Sequence, residues 1–461
     1  MVNIKNQVCQ SVNPATEEVL GAFEQSRPEE VEEGLNQASR AFRQWRGRSF
    51  SERADLFKKA AAYLRRNKGK LAGLITSEMG KPITQAEAEV EKCALNCEYY
   101  AEHAEKFLTP EQRQVDDRES YVQFTPLGTV LAIMPWNFPL WQVIRFAAPA
   151  LMAGNTAILK HASNVPQCAL AIQEIFTQSG FPRGVFQSLL ISSSAAGALI
   201  EDSRIAAVTL TGSDRAGREV GSRAGESIKK SVLELGGSDP FIVLEDADLE
   251  AAAKTGVRAR FQNAGQSCIA AKRFIITAEV FEDFQERFVE EVRNLKVGDP
   301  TDPSTFIGPL ARADLRDSLQ EQVGRSKGQG ARIIIGGEKR PGRGFFFEPT
   351  VLTDVSPDNV AAVEEIFGPV AAMIRAGDAA EAIRLANDSP YGLGSNLWTA
   401  DLERARKLAG QIEAGQVFIN GMTASDPRLP FGGVKNSGYG RELSEYGIRE
   451  FVNIQTVVVA K

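Results

Sequence analysis

Histidine is the scarcest reactive residue, since the 461-residue chain holds only His103 and His161. A Ser-His-Asp triad, a Cys-His protease pair or a histidine-rich metal site therefore has almost nothing to draw on. If the protein is an enzyme, carboxylates, lysine or cysteine must carry its proton transfers. We predict no metal site.

Cysteine is also sparse, with five residues in the whole chain. An odd, scattered set forms no disulfide framework and fits a reducing compartment, so we expect a cytoplasmic protein. Cys93 and Cys97 stand four residues apart on a predicted helix without further ligands nearby, which favours core packing over metal binding. Residues 1–10 hold no apolar signal core.

An excess of positive charge is absent, because 53 basic residues face 59 acidic ones and the net charge is −6. We therefore expect neither a nucleic-acid nor a membrane partner, only a small-molecule substrate. The most apolar stretch, residues 131–159, is broken by prolines and contains Asn137, Gln142 and Arg145. Such a stretch suits the protein interior and not a lipid bilayer.

A chain of this length is too long for one core. Residues 29–105 show helical periodicity throughout, and residues 109–120 are polar without a predicted element. From residue 129 short apolar strands alternate with helices, and this pattern restarts after Glu234, which predicts βαβ units in two α/β domains.

The Gly-x-Gly-x-x-Gly fingerprint of common dinucleotide sites follows no strand here. Instead, a strand predicted at 206–211 ends in Thr211-Gly212-Ser213 and leads into a helix. The free amides and the dipole of a helix start can bind phosphate. A glycine turn with a serine N-cap explains the same residues, and the local pattern leaves both interpretations open.

Three further residues are candidates for chemistry. Cys268 ends a glycine-containing loop at 263–268, where it is either a reactive thiol or a small buried hydrophobe. Glu234 lies inside an apolar run, where burial would raise its pKa and suit a general base; an exposed edge-strand glutamate is the alternative. Asn137 is either an oxyanion donor or an ordinary turn asparagine.

Together and in this order, these segments resemble the aldehyde dehydrogenase superfamily over essentially the whole chain. The matching stretches are Pro-Trp-Asn-Phe-Pro at 135–139, Thr-Gly-Ser at 211–213, Leu-Glu-Leu-Gly-Gly at 233–237, Gly-Gln-x-Cys at 265–268, Glu-Ile-Phe-Gly-Pro at 365–369 and Pro-Phe-Gly-Gly at 430–433. The resemblance implies an α/β fold with two Rossmann-like parallel-sheet domains and a small β bridging segment.

The resemblance also implies domain bounds and assembly. Residues 1–107 and 127–233 would form the dinucleotide-binding domain, and residues 234–442 the catalytic domain. Segments 108–126 and 443–461 would pair across subunits in a homodimer or homotetramer, which would cover the apolar strand predicted at 454–460.

Site residues follow from the same resemblance. Cys268 would be the nucleophile, Asn137 with the Cys268 amide the oxyanion hole, and Glu234 the base that activates water. The residues expected to contact the cofactor are Lys160 at the adenosine ribose, Gly212 and Ser213 at the pyrophosphate, Glu365 at the nicotinamide ribose, and Trp136, Leu235 and Phe367 around it.

Ser163 departs from many NAD-dependent members, which carry a glutamate at this position. A carboxylate there would repel a 2′-phosphate, whereas serine can donate a hydrogen bond and Lys160 supplies positive charge. We therefore expect NADP to be preferred, with some use of NAD. His161 stands where proline is common, and its ring is expected to face solvent or the adenosine.

Within the superfamily the chain is most similar to bacterial succinate semialdehyde dehydrogenases, which oxidise that substrate to succinate. The substrate carboxylate would contact Arg145 and Ser425, with a structural ion pair as the alternative role of Arg145. Gln262 replaces an arginine of some members, and Arg428 is a candidate to compensate. Trp141 and Trp398 are either apolar walls of the pocket or core residues.

Two alternative functions remain open. It could oxidise another aldehyde, such as glutarate semialdehyde or a small hydroxyaldehyde. A catalytically silent structural protein on this fold is the alternative from another class, and intact Cys268, Glu234 and Asn137 argue against it.

Overall fold

A computed structural model describes residues 8–460. Residues 1–7 of the predicted segment 1–107 and residue 461 of the predicted segment 443–461 lie outside this range. No helix within it is long and apolar enough to cross a membrane.

The helices of the described residues are α1 Pro28–Trp45, α2 Phe50–Arg66, α3 Lys68–Met79, α4 Ile83–Phe107, α5 Trp141–Met152, α6 Pro166–Gln178, α7 Ser193–Glu201, α8 Asp214–Glu226, α9 Leu249–Phe261, α10 Phe281–Arg293, α11 Ala313–Gly328, α12 Val360–Val363, α13 Ala379–Asn387, α14 Leu402–Ala409 and α15 Ser444–Ile448, with 3-10 turns at Gln262–Gly265 and Arg449–Phe451.

The strands are β1 Val8–Val12, β2 Val19–Glu24, β3 Glu111–Val115, β4 Arg118–Pro126, β5 Thr129–Met134, β6 Thr156–His161, β7 Phe186–Ser188, β8 Ile205–Thr211, β9 Lys230–Glu234, β10 Asp239–Val243, β11 Ala271–Thr277, β12 Arg332–Ile335, β13 Thr350–Thr353, β14 Val370–Ala376, β15 Tyr391–Gly392, β16 Asn396–Trp398, β17 Phe418–Ile419, β18 Val434–Lys435, β19 Gly438–Tyr439 and β20 Val452–Val459.

Two parallel sheets form the body of the protein. The first has the order β19-β9-β8-β5-β6-β7, and the second β12-β13-β14-β11-β10-β16-β17. Only the edge strands β19 and β12 run antiparallel to their neighbours. Helices cover the faces of both sheets, so the inner strands β6, β10 and β11 are buried along their whole length, as parallel sheets require. The α/β fold class predicted from the sequence is confirmed.

One short segment departs from the predicted division of the chain. Strand β19 falls within residues 234–442, yet it pairs with β9 in the sheet that contains residues 129–234. The chain therefore returns to the first sheet after completing the second. Periodicity cannot reveal this return, because the strand has only two residues.

A smaller antiparallel sheet, β20-β4-β3, stands beside these two. Residues 109–120, which gave no strand by periodicity, contain β3. Every residue of β3 after Glu111 is exposed, so the strand lacks the apolar alternation that marks a half-buried strand.

Candidate active site

Cys268 lies on the loop between the 3-10 turn Gln262–Gly265 and β11. The turn is held in left-handed backbone by Asn263 (φ 55°), Ala264 (φ 53°) and Gly265 (φ 72°). A side chain on Gly265 would collide with the backbone carbonyl of Gly368, so only glycine fits there. This turn ends α9 abruptly and places Cys268 just before the start of β11 in the second sheet.

Two buried cations that the sequence analysis missed hold this loop. Lys272 donates to the carbonyls of Ser267 (3.0 Å) and Cys268 (2.8 Å). Arg260 donates to the carbonyl of Gly265 (3.4 Å) in the turn and to those of Ile366 (3.1 Å) and Gly368 on the neighbouring loop. Burial lowers the pKa of Lys272 and lowers that of Arg260 to about 9. A basic residue inside an apolar helix or strand was the signal available in the sequence.

The Cys268 thiol is half-buried, whereas the other four cysteines are buried. It lines a cavity of about 470 Å³, a size that suits a small molecule. Burial raises the pKa of Cys268 to about 12, and the charges of Arg145 and Lys272 offset only part of this effect. The resting group is therefore a neutral thiol at neutral pH.

Asn137 lies at the end of β5, against the Cys268 loop. Its Nδ2 donates to the carbonyl of Gln266 over 3.1 Å, and its own carbonyl accepts from the side chain of Asn263 over 2.9 Å. The side chain is 4% exposed, and one amide hydrogen remains for a further acceptor. The interpretation of Asn137 as an ordinary turn asparagine does not by itself explain why its side chain is buried.

Glu234 ends β9 and is buried, with no hydrogen bond to either carboxylate oxygen among residues 8–460. Burial and then the nearby carboxylate of Glu442 raise its pKa well above the usual range. A side chain on Gly432 would stand 2.7 Å from Glu234 Oε1, so this glycine leaves room for the carboxylate. Glu234 is not among the residues that line the Cys268 cavity.

The predicted substrate residues gather in that cavity: Arg145, Ser425, Trp141 and Gln262 all line it. Arg145 is buried, forms an ion pair with Glu442 and lies over the ring of Phe431 at 4.6 Å. The structural ion pair considered for Arg145 is thus present, and the residue still faces the cavity.

Two of the candidate substrate contacts do not line the cavity. Arg428 is exposed and pairs with Asp426 (2.7 Å), so its guanidinium does not compensate for Gln262. Trp398 is 4% exposed in β16 and stacks on Phe241, which makes it a core residue. Lys92 of α4 also lines the cavity, and the sequence analysis missed it. Its signal was a lysine on the buried stripe that contains Glu89 and Asn96.

The predicted cofactor residues lie at the carboxyl ends of β5, β6, β8 and β9 and on the loop after α12. Ser213 caps α8 by accepting from the amide of Ala216 (3.3 Å), as the N-cap interpretation expects. Gly212 donates its amide to the carbonyl of Glu234 (3.0 Å), and Leu235 is 6% exposed. Ser163 is exposed on the loop after β6.

Lys160 shows that the carboxyl edge of the first sheet can hold a polar group of a ligand. Its side chain is 9% exposed and has no hydrogen-bond or ion-pair partner among the described residues. Burial lowers its pKa, and a ligand oxygen would satisfy the ammonium. The residues present therefore fit a dinucleotide.

Three more of the predicted cofactor residues lie at the carboxyl edge of the first sheet, on the side of Cys268. They are Glu365, Trp136 and Phe367. Glu365 accepts from the amide of Gly237 over 3.0 Å, and its carboxylate lies 3.5 Å from Lys272 Nζ. The rings of Trp136 and Phe367 meet edge to face at 5.9 Å.

The expected orientation of His161 is wrong. The ring is buried, and Nδ1 accepts from the amide of Ala162 (2.8 Å), so the neutral ring donates from Nε2 to the carbonyl of Pro139 (2.9 Å). Burial lowers its pKa to about 4. His161 thus connects β6 to the turn after Asn137.

The model of the aldehyde dehydrogenase family matches residues 2–457. The chain belongs to this family. Among its relatives, a succinate-semialdehyde dehydrogenase [NADP(+)] of Mycobacterium tuberculosis is 52% identical, and the match covers 98% of this chain and 99% of the relative. A succinate semialdehyde dehydrogenase [NAD(P)+] of Escherichia coli is 51% identical, with 97% of each chain covered.

Solved aldehyde dehydrogenase structures share this fold. The succinic semialdehyde dehydrogenase from Streptococcus pyogenes, in complex with NADP+, superimposes with a TM-score of 0.96 and is 38% identical. That match covers 98% of this chain and 100% of the other.

Proposed function

We propose that this aldehyde dehydrogenase oxidises succinate semialdehyde to succinate with NADP as the preferred cofactor and NAD as a weaker one. The observation that carries the proposal is the half-buried Cys268 thiol in a small cavity that also contains cationic side chains. Relatives that are 51% and 52% identical and named for this substrate support it.

Cys268 attacks the aldehyde carbon and forms a thiohemiacetal. The thiol proton is released to solvent as the sulfur–carbon bond forms, because burial keeps the resting thiol neutral. The free amide hydrogen of Asn137 and the backbone amide of Cys268 stabilise the developing oxyanion. Asn137 is suited to this role because its bond to Gln266 fixes its amide beside the nucleophile loop.

Glu234 acts as the base that activates water to hydrolyse the thioester on Cys268. Burial raises its pKa, which makes the ionised carboxylate a stronger base than an exposed glutamate. The carboxylate must turn toward the cavity to act, and the small Gly432 beside it leaves space for that rotation. Hydrolysis then releases succinate and restores the thiol.

A bound dinucleotide would supply the acceptor for the hydride that leaves the thiohemiacetal carbon, and this loss of hydride converts the thiohemiacetal into the thioester that is then hydrolysed. Lys160 would hold the adenosine ribose, the start of α8 at Gly212 and Ser213 the pyrophosphate, and Glu365 the nicotinamide ribose. Leu235, Trp136 and Phe367 would supply apolar contacts. Ser163 favours NADP because it presents no carboxylate to a 2′-phosphate.

The outer strand of the small sheet supports self-association. Ile454 is 61% exposed and Val458 45% exposed on β20, and such apolar strand residues are a hazard when uncovered. A homodimer or homotetramer that pairs the 108–126 and 443–461 segments between subunits would cover them. Five unpaired cysteines suit a reducing cytoplasm.

The test is turnover of succinate semialdehyde by the purified protein, followed as nicotinamide reduction with NADP and with NAD at matched concentrations. We expect turnover with both and a higher kcat/KM with NADP. Oxidation of glutarate semialdehyde or a hydroxyaldehyde in preference to succinate semialdehyde would remove the substrate and leave the family.

A further inference from the structure

Lys272 is a buried cation whose closest partners are backbone carbonyls of the nucleophile loop. It is the second residue of β11, and its side chain is fully buried. Its Nζ donates to the carbonyls of Cys268 (2.8 Å), Ser267 (3.0 Å) and Ala270 (3.4 Å). Among residues 8–460, Glu365 is the one carboxylate within ion-pair distance, at 3.5 Å. The two shortest contacts of the ammonium are therefore made with the loop.

The carbonyl of Ser267 and the amide of Cys268 belong to the same peptide group. Because a peptide group is planar and trans, a donor that fixes the carbonyl also fixes the direction of the N–H bond. A cation bound to the carbonyl polarises the group as well, which strengthens the N–H as a donor. The Cys268 amide has no acceptor among residues 8–460, so this hydrogen is free for a substrate oxygen.

The carbonyls on either side of this peptide group are fixed too. Gln266 accepts from the side chains of Asn137 and Asn263, each over 3.1 Å. A side chain on Gly237 would stand 2.8 Å from the Cys268 carbonyl, so this glycine leaves room for the contact with Lys272. Side-chain donors, and not a regular element, thus set the orientation of three consecutive carbonyls from residue 266 to residue 268.

We infer that Lys272 is a positioning residue for the oxyanion hole, because it orients the peptide group between Ser267 and Cys268 and thereby aims the Cys268 amide at the aldehyde oxygen. The inference rests on the role proposed above for this amide. Asn137 supplies the side-chain donor of the hole directly. Lys272 acts only through the backbone donor and does not touch the substrate.

Trifluoroacetone is a suitable probe, since it needs neither cofactor nor turnover. The Cys268 sulfur adds to its carbonyl carbon, the carbon–oxygen π bond breaks, and the thiol proton moves to the oxygen. The hydroxyl of this adduct then loses its proton to solvent and leaves an oxyanion in the hole. Binding is measured as protection of Cys268 from iodoacetamide, relative to the unprotected rate of the same variant.

Lys272→Met should weaken trifluoroacetone binding roughly 10- to 100-fold. The effect is expected to be smaller than the roughly 10²- to 10³-fold cost of losing a whole oxyanion donor, because the Cys268 amide is still present but no longer held in place. The acylation burst with an oxidised aldehyde should slow by a similar factor. Lys272→Arg keeps a charged donor and should recover part of both losses.

The pH dependence of this binding separates an oxyanion role from a packing role. Affinity should be constant while the adduct hydroxyl is protonated and should rise above the pKa of that hydroxyl. A weakened hole raises this pKa, so the rise should begin at a higher pH in Lys272→Met. A change in packing alone would lower the affinity without moving the onset of the rise, and that result would contradict the inference.

Arg273→Met is the matched control. Arg273 is the next residue of β11 and is also buried, but it donates to the carbonyls of Ser238 (2.9 Å), Leu385 (2.8 Å) and Ala386 (2.9 Å), none of them in the nucleophile loop. Both variants should lower the melting temperature, and only Lys272→Met should weaken trifluoroacetone binding. Equal binding in the two variants would overturn the inference. Lys272→Gln, which keeps an uncharged donor, replaces Lys272→Met if that variant does not fold, with an intermediate loss expected.

Glu365 provides the competing explanation. If Lys272 serves mainly to hold this carboxylate for the cofactor, Lys272→Met should raise the dissociation constant of NADP and leave trifluoroacetone binding unchanged, which would overturn the inference. Weakened trifluoroacetone binding in Lys272→Met, in a protein that oxidises another aldehyde and not succinate semialdehyde, would retain the inference and remove the proposed substrate. Oxidation of succinate semialdehyde with trifluoroacetone binding independent of Lys272 would do the reverse.

Discussion

Asn137 and Asn263 donate their side-chain amides to the same acceptor, the backbone carbonyl of Gln266, each over 3.1 Å. Asn263 also donates to the carbonyl of Asn137 over 2.9 Å. The end of β5 and the left-handed turn before Cys268 are thereby joined into one unit. The proposed oxyanion donor and the nucleophile loop are consequently fixed to each other.

Asn137→Ala should lower kcat by roughly 10²- to 10³-fold, as the loss of one oxyanion donor does in other acyl-transfer sites. The alkylation rate of Cys268 should stay near that of the unaltered protein, because Asn263 still holds Gln266. Asn263→Ala is the comparison, and it should change alkylation as well. A fall in kcat below tenfold in Asn137→Ala would argue against the oxyanion role.

Alkylation of Cys268 in the protein without cofactor should speed up with pH and show no plateau at neutral pH. The pKa is raised to about 12, so the thiolate fraction rises roughly tenfold per pH unit below that value. Iodoacetamide inactivation rates from pH 6 to pH 9 provide the measurement. Cys268→Ser identifies the labelled site, and a plateau near pH 7 would contradict the buried neutral thiol.

Glu234→Gln should separate the two halves of the reaction. Acylation of Cys268 does not need this carboxylate, so a first-turnover burst of reduced nicotinamide should remain. Steady-state turnover should fall roughly 10²- to 10⁴-fold, the usual contribution of a general base. Stopped-flow absorbance measures both phases. Loss of the burst together with turnover would mean that Glu234 serves acylation instead.

Ser163→Glu should reverse the cofactor preference. The exposed loop after β6 tolerates a longer side chain, and the new carboxylate would repel a 2′-phosphate while accepting ribose hydroxyls. The ratio of kcat/KM for NADP and NAD is the measurement, and Ser163→Gln controls for size without charge. An unchanged ratio in Ser163→Glu would place the 2′-phosphate elsewhere.

Glu89→Ala should lower the melting temperature strongly. The change leaves the buried Lys81 ammonium without its partner and removes the acceptor for the amides of Leu140 (2.9 Å) and Trp141 (3.0 Å) at the start of α5. Breaking a buried ion pair costs about 3–5 kcal/mol. Glu250→Ala, which breaks the exposed pair with Lys254, should leave the melting temperature unchanged. Equal melting temperatures for the two variants would contradict this.

The sequence by itself determined the family, the fold class and the segments that carry Cys268, Glu234 and Asn137. These features are local, because a short motif encodes a turn, a cap or a strand end through its own residues. The Ser213 N-cap is one example, and the helical periodicity of residues 29–105, the region of helices α1 to α4, is another. Periodicity failed at β3, where both faces of the strand meet solvent.

Only the tertiary structure decided which charges are neutralised and which remain available. Lys92 meets Ser425 across 333 residues of sequence, and Arg145 pairs with a glutamate from the far end of the chain. A sequence lists the charged residues of a cavity, but their partners depend on how distant elements pack. Burial then sets the cost of leaving each charge unpaired.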